Sequence, residues 1–169
     1  MNQAIVFTAS YLFITLPLLW VVSLVLLKDN KKLLTQGFLA AVLATPTAFA
    51  LVWVASRITY SSRPFVVNNF TPLIPHAANN GFPSDHTTFC MFFASLAFYN
   101  NKKLGIAGFT LTLLVGLSRV AAGVHSITDI IGGLVIGFVA ATVGYYLSEF
   151  IVKKYPKNSN RSQESKQLE

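Results

Sequence analysis

The feature that most constrains this chain is a series of apolar runs of about 17 to 24 residues, separated by short polar or basic turns and long enough to cross a bilayer as helices. In lipid, every backbone amide has to be satisfied within its own segment, so runs of this length read as membrane-crossing helices. The rest of the inventory agrees. Of 169 residues, 53% are hydrophobic and only 11% charged, and mean hydropathy is +0.56. A water-soluble domain of this size needs a polar surface that such a composition does not supply.

The pattern predicts an all-α integral membrane protein, a single bundle of about five transmembrane helices. The first is expected from Ala4 to Leu27, ending at Lys28-Asp29-Asn30-Lys31-Lys32, and the second from Leu33 to Ser56. Pro17 and Pro46 fall inside these two and are expected to kink them. A polar and aromatic loop runs from Arg57 to Pro83. The third span covers Ser84 to Asn100, the fourth Leu104 to Ala121 and the fifth Ile127 to Val152. Gly133 and Gly137 form a small-xxx-small pair suited to close helix packing. Residues 1–152 thus make one membrane-embedded domain, and 153–169 are expected to be a disordered, polar cytoplasmic tail. Met1-Asn2-Gln3 carries no basic residue and no small-residue cleavage site follows the first run, so that run is expected to be a retained span.

The net charge of +7 raises the question of nucleic acid, and the placement of the charge excludes it. Ten of the thirteen basic residues fall in the turns and tail that one side of the bundle would share: Lys28, Lys31, Lys32, Lys102, Lys103, Lys153, Lys154, Lys157, Arg161 and Lys166. By the positive-inside rule that side is cytoplasmic, with the N-terminus outside and the C-terminus inside. Arg57, Arg63 and Arg119 fall on the other side, and topology does not account for them. The single cysteine, Cys90, permits no intramolecular disulfide and no cysteine metal cluster; it reads as a small buried hydrophobe.

Depth brings polar groups together. Sixteen residues separate Lys102 from His86 and Lys103 from Arg119, and twenty separate Glu149 from Asp129. At 1.5 Å per residue these are roughly 24, 24 and 30 Å of helix. All three groups therefore reach the outer edge of a hydrocarbon core about 30 Å thick.

Each has a chemistry available to it. His125 and Asp129 are four apart at the start of the fifth helix, where a carboxylate can fix the tautomer of an imidazole and raise the nucleophilicity of its other nitrogen. Ser126 with Asp129 equally matches a capping box. Ser84 opens the third helix, whose free amides and dipole favour an anion, and is also an ordinary N-cap residue. His86 follows, placed to give a proton to a departing oxygen or to share in the cap. Arg119 interrupts an apolar run at a cost of about 2.5–3.5 kcal/mol on insertion scales, which marks a functional residue unless it snorkels to the interface. With Arg63, it could form a fork for phosphate oxygens.

Taken together, Arg63-Pro64, Pro83-Ser84-Asp85-His86 and Ser118-Arg119-x5-His125-x3-Asp129 resemble the three motifs of the type-2 phosphatidic acid phosphatase superfamily, over about residues 56 to 133. The resemblance implies a membrane lipid phosphatase in which His125 attacks phosphorus to give a phosphohistidine, polarised by Asp129. His86 would protonate the leaving group, while Arg63, Arg119 and Ser84 hold phosphoryl oxygens. It implies no metal and no other cofactor; the partners are a lipid phosphate or diphosphate and the surrounding lipids, with oligomeric state left open. The chain departs from the family twice. The lysine expected seven residues before the first-motif arginine is replaced by Ser56, with Arg57 beside it as a candidate phosphate ligand displaced by about 100° on a helix. Asp85 stands where most members have glycine. Pro-Ser-Asp-His is similar to bacterial undecaprenyl-diphosphate phosphatases of this superfamily, which implies the outer face of a bacterial inner membrane. Alternatives are a lipid A, phosphatidylglycerophosphate or phosphatidic acid phosphatase or, from another class, a binding or transport protein using His76, His86 and His125 as metal ligands. Otherwise His76 reads as structural or solvent-facing. The loop from Phe65 to Phe82 either lies on the membrane and admits lipid or merely covers the helix ends.

Overall fold

The computed structural model describes residues 2–155, and the elements it contains are helical. The first apolar run is broken into α1 (Asn2–Ser10), a 3-10 turn (Leu12–Ile14) and α2 (Thr15–Val25). Pro17 supplies the reason. In a continuous helix its ring would press on the Phe13 carbonyl and leave that carbonyl without a donor. The chain tightens just upstream instead, and Pro17 falls in the first turn of α2, where no amide is needed. The second run forms α3 (Lys31–Ile58), which continues through Pro46 and is capped by Asn30, whose side chain accepts from Leu33 N at 3.1 Å.

Beyond α3 the chain makes one short turn of helix, α4 (Pro64–Val67), within what the sequence reads as loop. Three helices complete the bundle: α5 (Asp85–Asn100), α6 (Lys102–Ala121) and α7 (Ile127–Lys154). Asn101 separates α5 from α6 and caps the latter, accepting from Lys103 N and Leu104 N at 3.1 and 3.2 Å. α7 continues two residues past its expected end. The rest of the tail expected to be disordered lies outside the described residues.

Among the described residues, four stretches are long and apolar enough to cross a membrane: Asn2–Val25, Lys31–Ile58, Lys102–Ala121 and Ile127–Lys154. The run expected as the third span is shorter. α5 has 16 residues, or roughly 24 Å against a hydrocarbon core of about 30 Å. Its position explains the difference, because α5 is the centre of the bundle and packs on α2, α3, α6 and α7. One core cluster joins Ala40, Ala44, Phe92, Leu96, Ala140 and Ala141 across α3, α5 and α7. Another joins Leu16, Cys90, Ala94 and Val115 across α2, α5 and α6.

Gly133 and Gly137 set the contact that positions the site. A Cβ on Gly133 would lie 2.8 Å from the Ser84 carbonyl oxygen, and one on Gly137 2.5 Å from that of Thr88. The backbone of α7 therefore rests directly on the first turns of α5. This brings the start of α7, with His125 and Asp129, against the start of α5, with Ser84 and His86.

Candidate active site

Ser126 caps α7: its Oγ accepts from Asp129 N at 3.3 Å, and Asp129 Oδ2 accepts from Ser126 N at 2.9 Å. The same Oδ2 accepts from His125 Nδ1 at 3.3 Å. Asp129 thus does both things the sequence allows it, closing the helix and orienting the imidazole. With Nδ1–H committed to the carboxylate, Nε2 of His125 keeps its lone pair. Arg63 Nη1 lies 3.4 Å from that nitrogen. His125 and Asp129 are both buried.

Arg63 occupies the N-cap position of α4. Its Nε donates to Asn79 Oδ1 at 3.0 Å, Nη1 to the Val124 carbonyl at 2.8 Å and Nη2 to the Asn80 carbonyl at 3.3 Å. Burial pulls its pKa below the ordinary guanidinium value, opposed by the charges of Asp129 and Asp85. It nevertheless remains a cation.

Arg119 is differently placed. It lies in the last turn of α6 with only 3% of its surface exposed, and Nη1 donates to the Ala9 carbonyl at 3.3 Å. Its Nε and Nη2 are buried and have no partner among the described residues. A buried, unpaired donor is costly, and a buried guanidinium with two of them is suited to an anion that comes and goes.

Ser84 is the N-cap residue of α5 by position, but its side chain caps nothing. The wholly buried Oγ accepts from Thr87 Oγ1 at 3.1 Å instead. The backbone amide of Ser84 donates to the Asp129 carbonyl at 3.0 Å, which ties α5 to α7. The first turn of α5 thus has no side-chain cap and can receive an anion. His86, in that turn, packs edge-on against Phe13 with ring centroids 4.9 Å apart. The 3-10 break in the first apolar run carries Phe13 there.

Two of the residues singled out in the sequence sit differently. Asp85 is exposed, at the lip of an apolar groove of about 360 Å³ between α3 and α5, with Phe49, Val52, Phe89, Phe92 and Phe93 among its walls. Arg57 is exposed on the outer side of α3, its guanidinium 5.5 Å from the Trp53 ring. The structure does not bring it to His125.

Two contributors, Asn79 and Asn80, were given no role from the sequence, and a third, His76, was read as structural or solvent-facing unless it bound a metal. His76 is not a remote loop histidine: its ring lies 5.9 Å from that of His125. Burial, and then the charge of Arg63, lowers its pKa. Asn79 and Asn80, which look like ordinary loop residues, hold Arg63. The loop that carries them covers the helix ends by burying Ile74 with Ala9, Ala122 and Val124, and Leu73 N donates to the Ala122 carbonyl at 3.0 Å. Among the described residues, no group of three His, Cys, Asp or Glu side chains converges as metal ligands would.

The site therefore offers an imidazole held by a carboxylate, two buried arginines, an uncapped helix start and two further histidines. The PAP2 superfamily profile matches residues 37–153, the segment that carries all the motifs. The chain belongs to the PAP2 superfamily. It is 32% identical over 99 residues to the undecaprenyl-diphosphatase BcrC of Bacillus subtilis (strain 168), covering 59% of this chain and 51% of that protein. It is 31% identical over 142 residues to the bacitracin transport permease protein BcrC of Bacillus licheniformis, covering 83% and 68%. The chain thus spans about half the length of the first relative and about two thirds of the second. Its fold is similar to that of a transmembrane PAP2-type phosphatidylglycerolphosphate phosphatase from Bacillus subtilis, with a TM-score of 0.62 and 24% identity over 93% of this chain and 79% of that one. With four apolar helical stretches of spanning length among the described residues and membrane PAP2 relatives, it is a multi-pass membrane protein. The PAP2 match begins inside α3, so Ala9 and Phe13 reach the site from outside it.

Proposed function

We propose that this protein is a membrane lipid phosphatase, and that its substrate is a polyprenyl diphosphate, undecaprenyl diphosphate, which it converts to the monophosphate. The observation that carries the reading is the buried Arg119 with Nε and Nη2 unpartnered, in the same site as a histidine whose free Nε2 lies against Arg63. Two buried cations at the same end of the bundle, one of them with unsatisfied donors, call for an anion, and a phosphoryl group can meet both.

In this reading Nε2 of His125 attacks phosphorus while Asp129 stabilises the positive charge that develops on the ring. The phosphorus–oxygen bond to the leaving group breaks, its electron pair stays on oxygen, and His86 supplies the proton. Arg63, Arg119, the Ser84 hydroxyl and the free amides in the first turn of α5 hold the oxygens of the transferring group. Water then adds to phosphorus and gives up its proton to His86. The phosphorus–nitrogen bond breaks, releasing inorganic phosphate and His125. The groove beside Asp85 suits the hydrocarbon chain, because it is lined by aromatic and aliphatic side chains and leads to the start of α5. The similarity to an undecaprenyl-diphosphatase supports the choice of lipid.

The same reading places the site at the non-cytoplasmic face of a bacterial inner membrane, the N-terminus outside and α5 completing a fifth crossing. Supporting it, the lysine-bearing turns before α3 and before α6 lie together, at the end of the bundle away from His125.

Purified protein should release phosphate from undecaprenyl diphosphate in preference to phosphatidic acid or lipid A, withstand a strong chelator and be inhibited by vanadate. Acid-quenched labelled substrate should leave an acid-labile adduct that His125→Ala abolishes. Release from phosphatidic acid or lipid A alone would overturn the substrate, and loss of activity to the chelator would overturn the histidine chemistry.

A further inference from the structure

We propose that Asn80 is a positioning residue of this site: it holds Arg63 beside His125 and locks that arginine to the start of α5. The proposal rests on the phosphatase reading and adds to it a residue outside the three motifs.

All four hydrogen-bonding valences of the Asn80 side chain are used. Oδ1 accepts from Ser61 N at 2.9 Å and from Phe82 N at 3.0 Å. Nδ2 donates to the Ser56 carbonyl at 3.0 Å and the Thr59 carbonyl at 2.9 Å. The backbone carbonyl of Asn80 accepts from Arg63 Nη2 at 3.3 Å, and the neighbouring Asn79 Oδ1 accepts from Arg63 Nε at 3.0 Å. Gly81 N completes the set by donating to the Ser61 carbonyl at 2.8 Å.

Three chain segments meet at this one amide. The first is the end of α3, the second the extended stretch that delivers Arg63, and the third the stretch from Phe82 that delivers Ser84 and His86. Among the described residues, no cluster of buried apolar side chains joins all three, since the core cluster nearby is built around Ile74, Ala9, Ala122 and Val124. A side chain that donates twice and accepts twice at this reach is asparagine. Aspartate, of the same shape, would set an oxygen against the Ser56 and Thr59 carbonyls. Alanine would leave two amides and two carbonyls without partners.

The consequence is catalytic because Arg63 Nη1 already bonds the Val124 carbonyl and stands 3.4 Å from His125 Nε2. Its fit to a phosphoryl oxygen depends on where Asn79 and Asn80 hold the other two nitrogens.

The test is a double-mutant cycle in the full chain, purified in detergent, with farnesyl diphosphate as the substrate and orthovanadate as the transition-state mimic. Displacement of a positioning contact by about an ångström costs roughly 10²-fold in rate. Asn80→Ala is expected to lower kcat/KM by about that factor and to weaken vanadate inhibition similarly. In an Arg63→Ala background the same change should cost no more than about twofold, because the two residues act as one unit. Asn80→Asp runs the same cycle if the alanine variant fails to elute as a folded species. A penalty of equal size in the Arg63→Ala background, activity within about twofold of the parent, or loss of the fold in both variants would each overturn the proposal. A parent protein that releases no phosphate would instead overturn the phosphatase reading.

Discussion

Asp129 Oδ2 accepts from two donors, the amide of Ser126 at 2.9 Å and Nδ1 of His125 at 3.3 Å. The two bonds have different purposes, and they can be separated. Asp129→Asn keeps an oxygen for the cap but removes the charge that steadies a cationic imidazole. It is expected to lower kcat by about 10²–10⁴-fold, in the range of a lost acid–base partner, while the protein still elutes as a folded species. Ser126→Ala does the reverse. It removes the acceptor for Asp129 N, a capping contact worth about 1 kcal/mol, and leaves the His125 pair in place. Thermal unfolding in detergent should fall slightly and phosphate release should hold within a few-fold. Equal losses of activity from the two substitutions would show that Asp129 matters as a helix cap alone.

Between α5 and α7 the decisive elements are glycines. A Cβ on Gly137 would lie 2.5 Å from the Thr88 carbonyl oxygen and 2.9 Å from both Phe92 N and Met91 Cβ. Backbone atoms cannot yield as a side-chain tip can, so Gly137→Ala must push the two helices apart. Overpacking of this kind costs about 1–3 kcal/mol. The expected result is a clear drop in melting temperature together with lower activity, because the same contact sets His125 against Ser84. Val135→Ala on the same helix, at an exposed position, should change neither by more than a fraction of that. Helices of this kind are legible in sequence because lipid demands long apolar runs, and the glycine pair is legible because its spacing matches one turn. The break in the first helix was visible only as Pro17, since the displaced turn lies upstream of the proline that causes it. His125 and Asp129 were legible as a pair through their spacing, and Arg63 through the resemblance of its motif and a charge that topology left unexplained. The role of Asn80 and the placement of His76 were not, because their partners lie across chain reversals: Asn80 reaches back to Ser56, and His76 meets His125 on another element. Polar loop residues carry no periodicity that would reveal such contacts. Arg57 shows the converse, a plausible charge one residue out of register that helix geometry turns toward Trp53.

For the molecule as a whole, the end that faces the cytoplasm decides which leaflet the site meets. The turn between α2 and α3 carries Lys28, Lys31 and Lys32, the start of α6 carries Lys102 and Lys103, and the end of α7 carries Lys153 and Lys154. The opposite end carries Arg63 and Arg119, both buried in the site, and Arg57 alone as an exposed cation. Lysines near span ends bias a loop toward the cytoplasm. Cys90 makes this directly measurable, because it is fully buried and leaves the surface without a competing thiol among the described residues. Ala78→Cys introduces a thiol in the loop above the site, and Asp29→Cys introduces one in the turn between α2 and α3, both at exposed positions. A membrane-impermeant maleimide added to intact cells, with the outer membrane permeabilised where there is one, should label the first and spare the second until the inner membrane is opened. The reverse pattern would put the site on the cytoplasmic side, where the lipid diphosphate it meets would belong to the inner leaflet. Because every charged group in the site approaches from one end of the bundle, the labelling of Ala78→Cys also decides which leaflet supplies the substrate.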